Sequence, residues 1–365
     1  MKVLSILCLL LLISSVFSLS QEETKKIEGE ISVGLKDGVF RSFSKLIYPN
    51  GFHYNGLSLN GTIFDKESKS DSIGFQFNKN SMNFMFKYSS MVKNDTDIDI
   101  EKYRMVYRPS IIIEYKETND KEGFQYGEDQ ILGFVKLNKL DYTINEAKIE
   151  KTANNNQTFD VIVIDVTSSI FDMRFYLTGS PVSVAGNEIS SSQSKIDIMI
   201  HNYYDETINV ASKDCKFERF NCDSTGPSNV TESRLALASL FMSMEKDVDI
   251  DFDIDDNDVS LKEEEEKDVK FGFQWVSTCD VVREDGRLES KVHTSVNSTT
   301  DDFQITTIDS GFKASVLIHS FEGERALNVT WDPTLGVNAD FEANSSIKLL
   351  TPTLLIVALI LLSLL

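Results

Sequence analysis

The sequence predicts a mainly β protein, an antiparallel β-sandwich-like ectodomain or pair of ectodomains with one amphipathic helix and one acidic low-complexity segment. Three observations carry that reading. Apolar residues recur at every second position over much of residues 45–201, the same alternation resumes from Phe271, and the two ends of the chain are apolar while its middle carries the charge.

Taken in order, residues 1–20 read as a secretory signal peptide. Lys2 supplies a positive start, Val3 to Ile13 an apolar stretch, and Ser18-Leu19-Ser20 a small-x-small cleavage site before Gln21. Residues 21–230 form the first β-rich stretch. Met82, Phe84, Phe86 and Tyr88 share one face of a strand, as do Phe171, Met173, Phe175 and Leu177, and Ile196, Ile198 and Ile200 repeat the pattern. Ile111 to Ile113 and Val161 to Ile164 are continuous β-branched runs, the pattern of strands buried on both faces. Turn material separates them at Pro49-Asn50-Gly51, Lys93-Asn94-Asp95 and Asn154-Asn155-Asn156.

Residues 231–268 are expected to break this pattern, as a helix followed by an acidic linker or insertion. From Glu232 to about Lys246, Leu237, Leu240, Phe241 and Met244 make an i, i+3, i+4, i+7 stripe behind Thr231 as N-cap. Asp247 to Asp268 is acidic and of low complexity. Residues 269–338 then form a second β-rich stretch, in the same domain or a separate one, with Phe271, Phe273 and Trp275 alternating and strand-like runs at Asp302 to Ile308, Lys313 to His319 and Ala326 to Trp331. Gly-Phe-Gln followed by an aromatic occurs at Gly74, Gly123 and Gly272, and reads as a turn glycine before a strand rather than a repeat.

Residues 339–365 read as a GPI-attachment signal. Asn344-Ser345-Ser346 are small residues, Ile347 to Thr353 a spacer, and Leu354 to Leu365 an apolar tail to be removed, with Asn344 as the attachment point and Ser345 or Asn338 as alternatives. The competing reading is a short transmembrane anchor. Leu349 to Leu365 has no flanking cytoplasmic Lys or Arg, and falls short of the roughly 20 apolar residues a spanning helix needs.

The formal charge of the chain is −21, with 57 Asp and Glu against 36 Lys and Arg, which excludes a nucleic-acid partner and favours basic partners or divalent cations. N-glycosylation sequons stand at Asn60, Asn94, Asn156, Asn229, Asn297 and Asn328, and again at Asn344. Once Cys8 leaves with the signal peptide, Cys215, Cys222 and Cys279 remain. Cys215 and Cys222 are the expected disulfide, because the shortest loop costs the least entropy to close, and Cys279 is the odd thiol.

The catalytic inventory is thin. His53, His201, His293 and His319 are the only histidines, no nucleophile elbow or zinc-protease motif accompanies them, and His201 and His319 are expected half in solvent at strand ends. The most unusual local chemistry is Asp247 to Asp255. In an extended chain its alternation sets Asp249, Asp251, Asp253 and Asp255 on one face, a candidate Ca²⁺ site whose alternative is a solvated acidic loop. An EF-hand alignment fails, with Asp258 where the turn glycine belongs.

The expected protein is therefore a GPI-anchored, N-glycosylated protein of the extracellular face of the plasma membrane, acting in recognition or adhesion, with no cofactor apart from possible Ca²⁺. Its partners would be the membrane, through the lipid anchor, and another surface protein or a glycan. A secreted or surface hydrolase with a carboxylate site, and a Ca²⁺-binding acidic matrix protein, are the alternatives.

Overall fold

The structure is a computed structural model. It describes residues 28–36, 39–48, 50–61, 68–93, 98–145, 148–154, 157–178, 182–184, 187–189, 193–213, 215, 221–245, 248–253, 258–263, 268–299 and 314–337. The signal peptide, Asn94, Asn156, Asp255, the expected strand at Asp302 to Ile308, and Asn338, Asn344, Ser345 and the apolar tail lie outside them.

The described chain is antiparallel β throughout, apart from a single 3₁₀ turn at Leu137–Lys139. A meander opens the first sheet: β1 (Glu28–Lys36), β2 (Val39–Tyr48), β3 (Gly51–Gly61), β4 (Ser68–Asn78), β5 (Asn83–Lys93) and the long β6 (Ile98–Lys116). Along one edge β6 pairs first with β5 and then with β7 (Gln130–Lys136). The second sheet takes β8 (Thr143–Ile144), β9 (Lys148–Asn154), β10 (Gln157–Thr167), β11 (Phe171–Thr178) and β14 (Gln193–His201), while β12 (Val182–Val184) and β13 (Asn187–Ile189) form a separate hairpin.

The expected helix is absent, and residues 234–243 form strand β15 (Arg234–Ser243) in the first sheet. It pairs with β6 on one side and with β21 (Ala314–Phe321) on the other. Every residue from Leu235 to Phe241 is buried. Leu235, Leu237 and Phe241 enter the core between the sheets, and Ala236, Ala238 and Leu240 enter a second cluster on the opposite face. A strand covered on both faces loses its polar alternation, so a short apolar run fits the helical and the strand periods equally well. Tertiary pairing decided the matter: two neighbouring strands satisfy the backbone groups that a helix would have satisfied internally.

The acidic stretch is also paired. β16 (Val248–Asp253), β17 (Asp258–Glu263) and β18 (Asp268–Gln274) form a meander, and β18 continues onto β23 (Thr334–Val337). Ile250 of β16 packs against the main core.

Three strands tie the sheets and the halves of the chain together. β20 (Leu288–Thr299) pairs through its first half with β19 (Thr278–Val282) in the second sheet, and through Thr294–Thr299 with β21 in the first, the behaviour of a corner strand. β22 (Asn328–Trp331) and β23 lie end to end along β14, with Asn328 opposite His201 and Gly336 opposite Gln193. Both sheets thus contain strands from before and after the acidic stretch.

The sheets face each other through an aromatic core. Phe175 of the second sheet stacks on Phe84 at 4.9 Å and meets Phe77 at 5.4 Å, and Phe273 stacks on Tyr107 at 4.7 Å. The residues expected on one face, Met82, Phe84, Phe86, Tyr88, Phe171, Met173, Phe175 and Leu177, are all buried there. Ile112 faces this core while Ile111 and Ile113 face the outer cluster, which accounts for the unbroken apolar run.

Candidate functional site

Four connections meet at one end of the sandwich: 117–129 between β6 and β7, 202–233 between β14 and β15, 283–287 between β19 and β20, and 322–327 between β21 and β22. Register dictates the meeting. Arg234 is opposite Tyr115, Leu235 is opposite Phe321, and Val282 is opposite Asn328.

At that end Arg234 collects three carboxylates, one from the connection after β6 and two from the connection after β21. Its Nη1 lies 2.5 Å from Glu117 Oε1 and 2.8 Å from Glu322 Oε2, and its Nη2 lies 3.9 Å from Glu324 Oε1. Burial pushes the Glu322 carboxyl above its ordinary pKa; Arg234 opposes that shift and the nearby Glu117 and Glu122 add to it. Burial alone would lower the Arg234 pKa, but the surrounding carboxylates, Glu322 first, outweigh it and the net shift is upward. His293 stands at the rim, its Nε2 3.6 Å from Glu122 Oε2. One cation among several half-buried carboxylates leaves a net negative site, suited to a basic group or to proton exchange at Glu322.

The 117–129 loop is held rigidly around the buried Asp129. Its carboxylate accepts the Thr118 and Gln125 backbone N–H groups at 2.9 and 2.7 Å. Phe124 packs edge-on against Tyr115, and its N–H donates to Ser320 Oγ at 2.8 Å. Gly123 sits at φ +72°, where a Cβ would come within 2.0 Å of Ser295 Oγ, so this glycine is the turn residue the sequence suggested. Gly74 and Gly272, by contrast, lie within β4 and β18.

The described residues of the 202–233 connection are held by buried polar groups. Glu114, fully buried on β6, accepts the Ser228 N–H at 2.8 Å and the Ser228 hydroxyl at 2.6 Å. Arg325 lies 4.4 Å from the Tyr204 ring centre, donates to the Ser228 carbonyl at 2.9 Å and pairs with Glu284 at 2.6 Å. Ser224 donates to Asn209 Oδ1 at 2.7 Å, and the Asn209 amide donates to the Tyr203 carbonyl at 2.8 Å. Cys215 and Cys222 are disulfide-bonded, Cα atoms 5.2 Å apart, and Cys222 packs on the outer cluster. Cys279 is a buried free thiol whose pKa burial pushes up to about 12.

Asn229 and Asn328 are exposed at this same end. Asn297 is half-buried on β20 and its amide donates to the Phe124 carbonyl at 3.2 Å. Asn60 lies in β3, opposite Val39 and Lys69. In β16, Asp249, Asp251 and Asp253 stand opposite Lys262, Ser260 and Asp258. Among the described residues no group of three or more His, Cys, Asp or Glu is gathered for a metal ion.

His319 departs from its expected half-solvated position. It is fully buried in β21, its ring 4.1 Å from that of Trp331 and 5.2 Å from that of Trp275, and neither nitrogen has a hydrogen-bond partner. The strand continues two residues past it to Phe321, which also faces the core, so His319 is not a strand end. His201 does close its strand, partly exposed, with Nε2 3.2 Å from Asp172 Oδ1.

Sequence inspection missed the Arg234 cluster because Glu117, Arg234 and Glu322 are far apart in the chain, and Glu and Arg occur throughout it. No family model matches this chain, and no curated protein matches it.

Proposed function

We propose that this chain is a secreted, N-glycosylated protein held on the extracellular face of the plasma membrane by a GPI anchor, and that it acts in recognition or adhesion. The observation that carries the tether is the order of small residues at Asn344 to Ser346, spacer, and uncharged apolar tail through Leu365, in a chain whose first twenty residues have the pattern of a signal peptide. Recognition is supported by the gathering of four loops at one end of a sandwich, one of them a long connection pinned by Glu114, Arg325 and a disulfide; long ordered loops on a rigid scaffold are where binding surfaces are commonly built.

Phosphatidylinositol-specific phospholipase C applied to intact cells should release the protein. Retention, together with recovery of a peptide ending at Leu365, would make it a transmembrane protein. Soluble ectodomain should label cells saturably if the protein is a recognition module, and absence of saturable labelling counts against that role.

A second reading, a surface hydrolase, is favoured by one observation: Glu117 and Glu322 share one guanidinium nitrogen and burial raises the Glu322 pKa, the direction a general acid needs. Hydrolysis of glycoside or ester substrates that is lost in Glu322→Gln would establish it. Equal turnover by the variant would remove it.

A further inference from the structure

Resting on the proposed role in recognition, we infer that the outer face of the first sheet, along β5 and β6, binds a linear sulfated polysaccharide. Lys102, Arg104 and Arg108 alternate along β6 with the core residues Tyr103, Met105 and Tyr107, so a period of two turns all three cations outward. Lys87 joins them from β5, directly opposite Arg104. At about 3.3 Å per residue the row from Lys102 to Arg108 is about 20 Å long. That length exceeds any single small anion and suits a chain that carries anionic groups on successive sugars.

The cations are poorly compensated for so acidic a chain, in which Asp and Glu outnumber Lys and Arg 57 to 36. Arg104 pairs with Glu245 at 2.8 Å, and Lys87 donates to Gln76 Oε1 at 3.2 Å. Among the described residues no carboxylate pairs with Lys102 or Arg108. Burial lowers the Arg108 pKa and leaves its Nε without a hydrogen-bond partner, so this guanidinium has lost water without gaining a counter-ion. Burial, and next the Arg104 charge, lower the Lys87 pKa. Like charges directly opposite each other across a strand pair cost free energy, and a sulfate between Lys87 and Arg104 removes that cost.

The overall charge of −21 repels a polyanion at a distance, but at physiological ionic strength charges more than about 8 Å away are largely screened, and the local row decides. The same balance selects a polysaccharide over an acidic protein. A globular acidic partner would bring its charge against the rest of an acidic surface, whereas an extended sugar chain touches the row alone.

The test is binding of a heparin octasaccharide to the full chain in mild detergent at about 0.15 M salt, with N- and O-desulfated heparin as control. The octasaccharide should bind saturably and the desulfated form should not. Lys102→Gln with Arg104→Gln removes two exposed charges without touching the core, and Arg108→Gln removes the half-buried one; each variant should bind about tenfold more weakly or worse. Lys148→Gln, which removes an exposed charge from the second sheet, should leave binding unchanged. No saturable binding by the wild type, or equal affinity in the Lys102→Gln, Arg104→Gln variant, would overturn the inference. The octasaccharide should also compete away saturable labelling of cells. Labelling that survives the octasaccharide yet is lost in that variant would put an acidic protein in place of the polysaccharide and leave the recognition role standing. Octasaccharide binding without any saturable labelling would remove the recognition role and leave the polysaccharide site.

Discussion

The rings of His319 and Trp331, one from each sheet, lie with their centres 4.1 Å apart in the middle of the sandwich. Trp275 closes on the imidazole edge-on and Phe273 lies beyond it, so His319 is enclosed by aromatic rings from the second sheet. Burial lowers its pKa to about 3, against about 6.5 in an unfolded chain.

That enclosure predicts acid lability with a definite sign. Because the folded pKa is depressed, stability is unaffected above pH 6.5 and is lost as pH falls from 6.5 toward 3, since only the unfolded chain takes up the proton. Linkage gives a loss of roughly 2 kcal/mol between pH 7 and pH 5 from this one residue. His319→Phe should reduce the pH dependence of the melting temperature over that interval. An unchanged slope would show that other groups set it.

Glu114 is expected to act as the staple of the 202–233 connection. Glu114→Ala strips the Ser228 N–H and hydroxyl of their buried acceptor and should cost about 2–3 kcal/mol, whereas Glu114→Gln keeps a carbonyl acceptor and should cost less. Thermal unfolding orders the two variants, and limited proteolysis should cut the alanine variant first between residues 202 and 233. Equal stability of alanine and wild type would refute the staple.

Gly123→Ala should destabilise the protein by at least about 1 kcal/mol, from the left-handed backbone alone, with the clash against Ser295 Oγ added to it. Adding Ser295→Ala should recover part of the loss but not all of it, because φ at +72° remains unfavourable for alanine. Denaturant titration of the single and double variants measures both contributions.

Cys279 should resist maleimide in the native protein and react once the chain is unfolded, because it is buried and its thiolate is suppressed. Non-reducing peptide maps should show Cys215 joined to Cys222. Reducing that bridge should cost about 2–3 kcal/mol, the magnitude for closure of a short loop.

If the Asp run binds Ca²⁺, millimolar Ca²⁺ should raise the melting temperature of the wild type and leave a variant with Asn at 249, 251, 253 and 255 unmoved. The register sets Asp253 opposite Asp258 but Asp249 opposite Lys262, so any effect should be concentrated at the Asp253 end of β16. No calorimetric signal at several millimolar Ca²⁺ would remove the Ca²⁺-binding role.

The β class and most strand faces could be read from residue order, because a period of two is a local property: Phe84 and Phe86, or Met173 and Phe175, declare their shared face without knowledge of any partner strand. The Cys215–Cys222 bridge was legible for a similar reason, since loop closure depends on separation along the chain. Residues 234–243 were not, because a run apolar at nearly every position carries no period, and only the strands β6 and β21 on its two sides decide that it is extended. His319 was misplaced because solvent exposure depends on what the opposite sheet brings, here Trp331 and Trp275. The Arg234 site was decided wholly by tertiary structure: strand register alone brings Glu117, Arg234 and Glu322 together, and no spacing in the chain encodes which of many charges will meet.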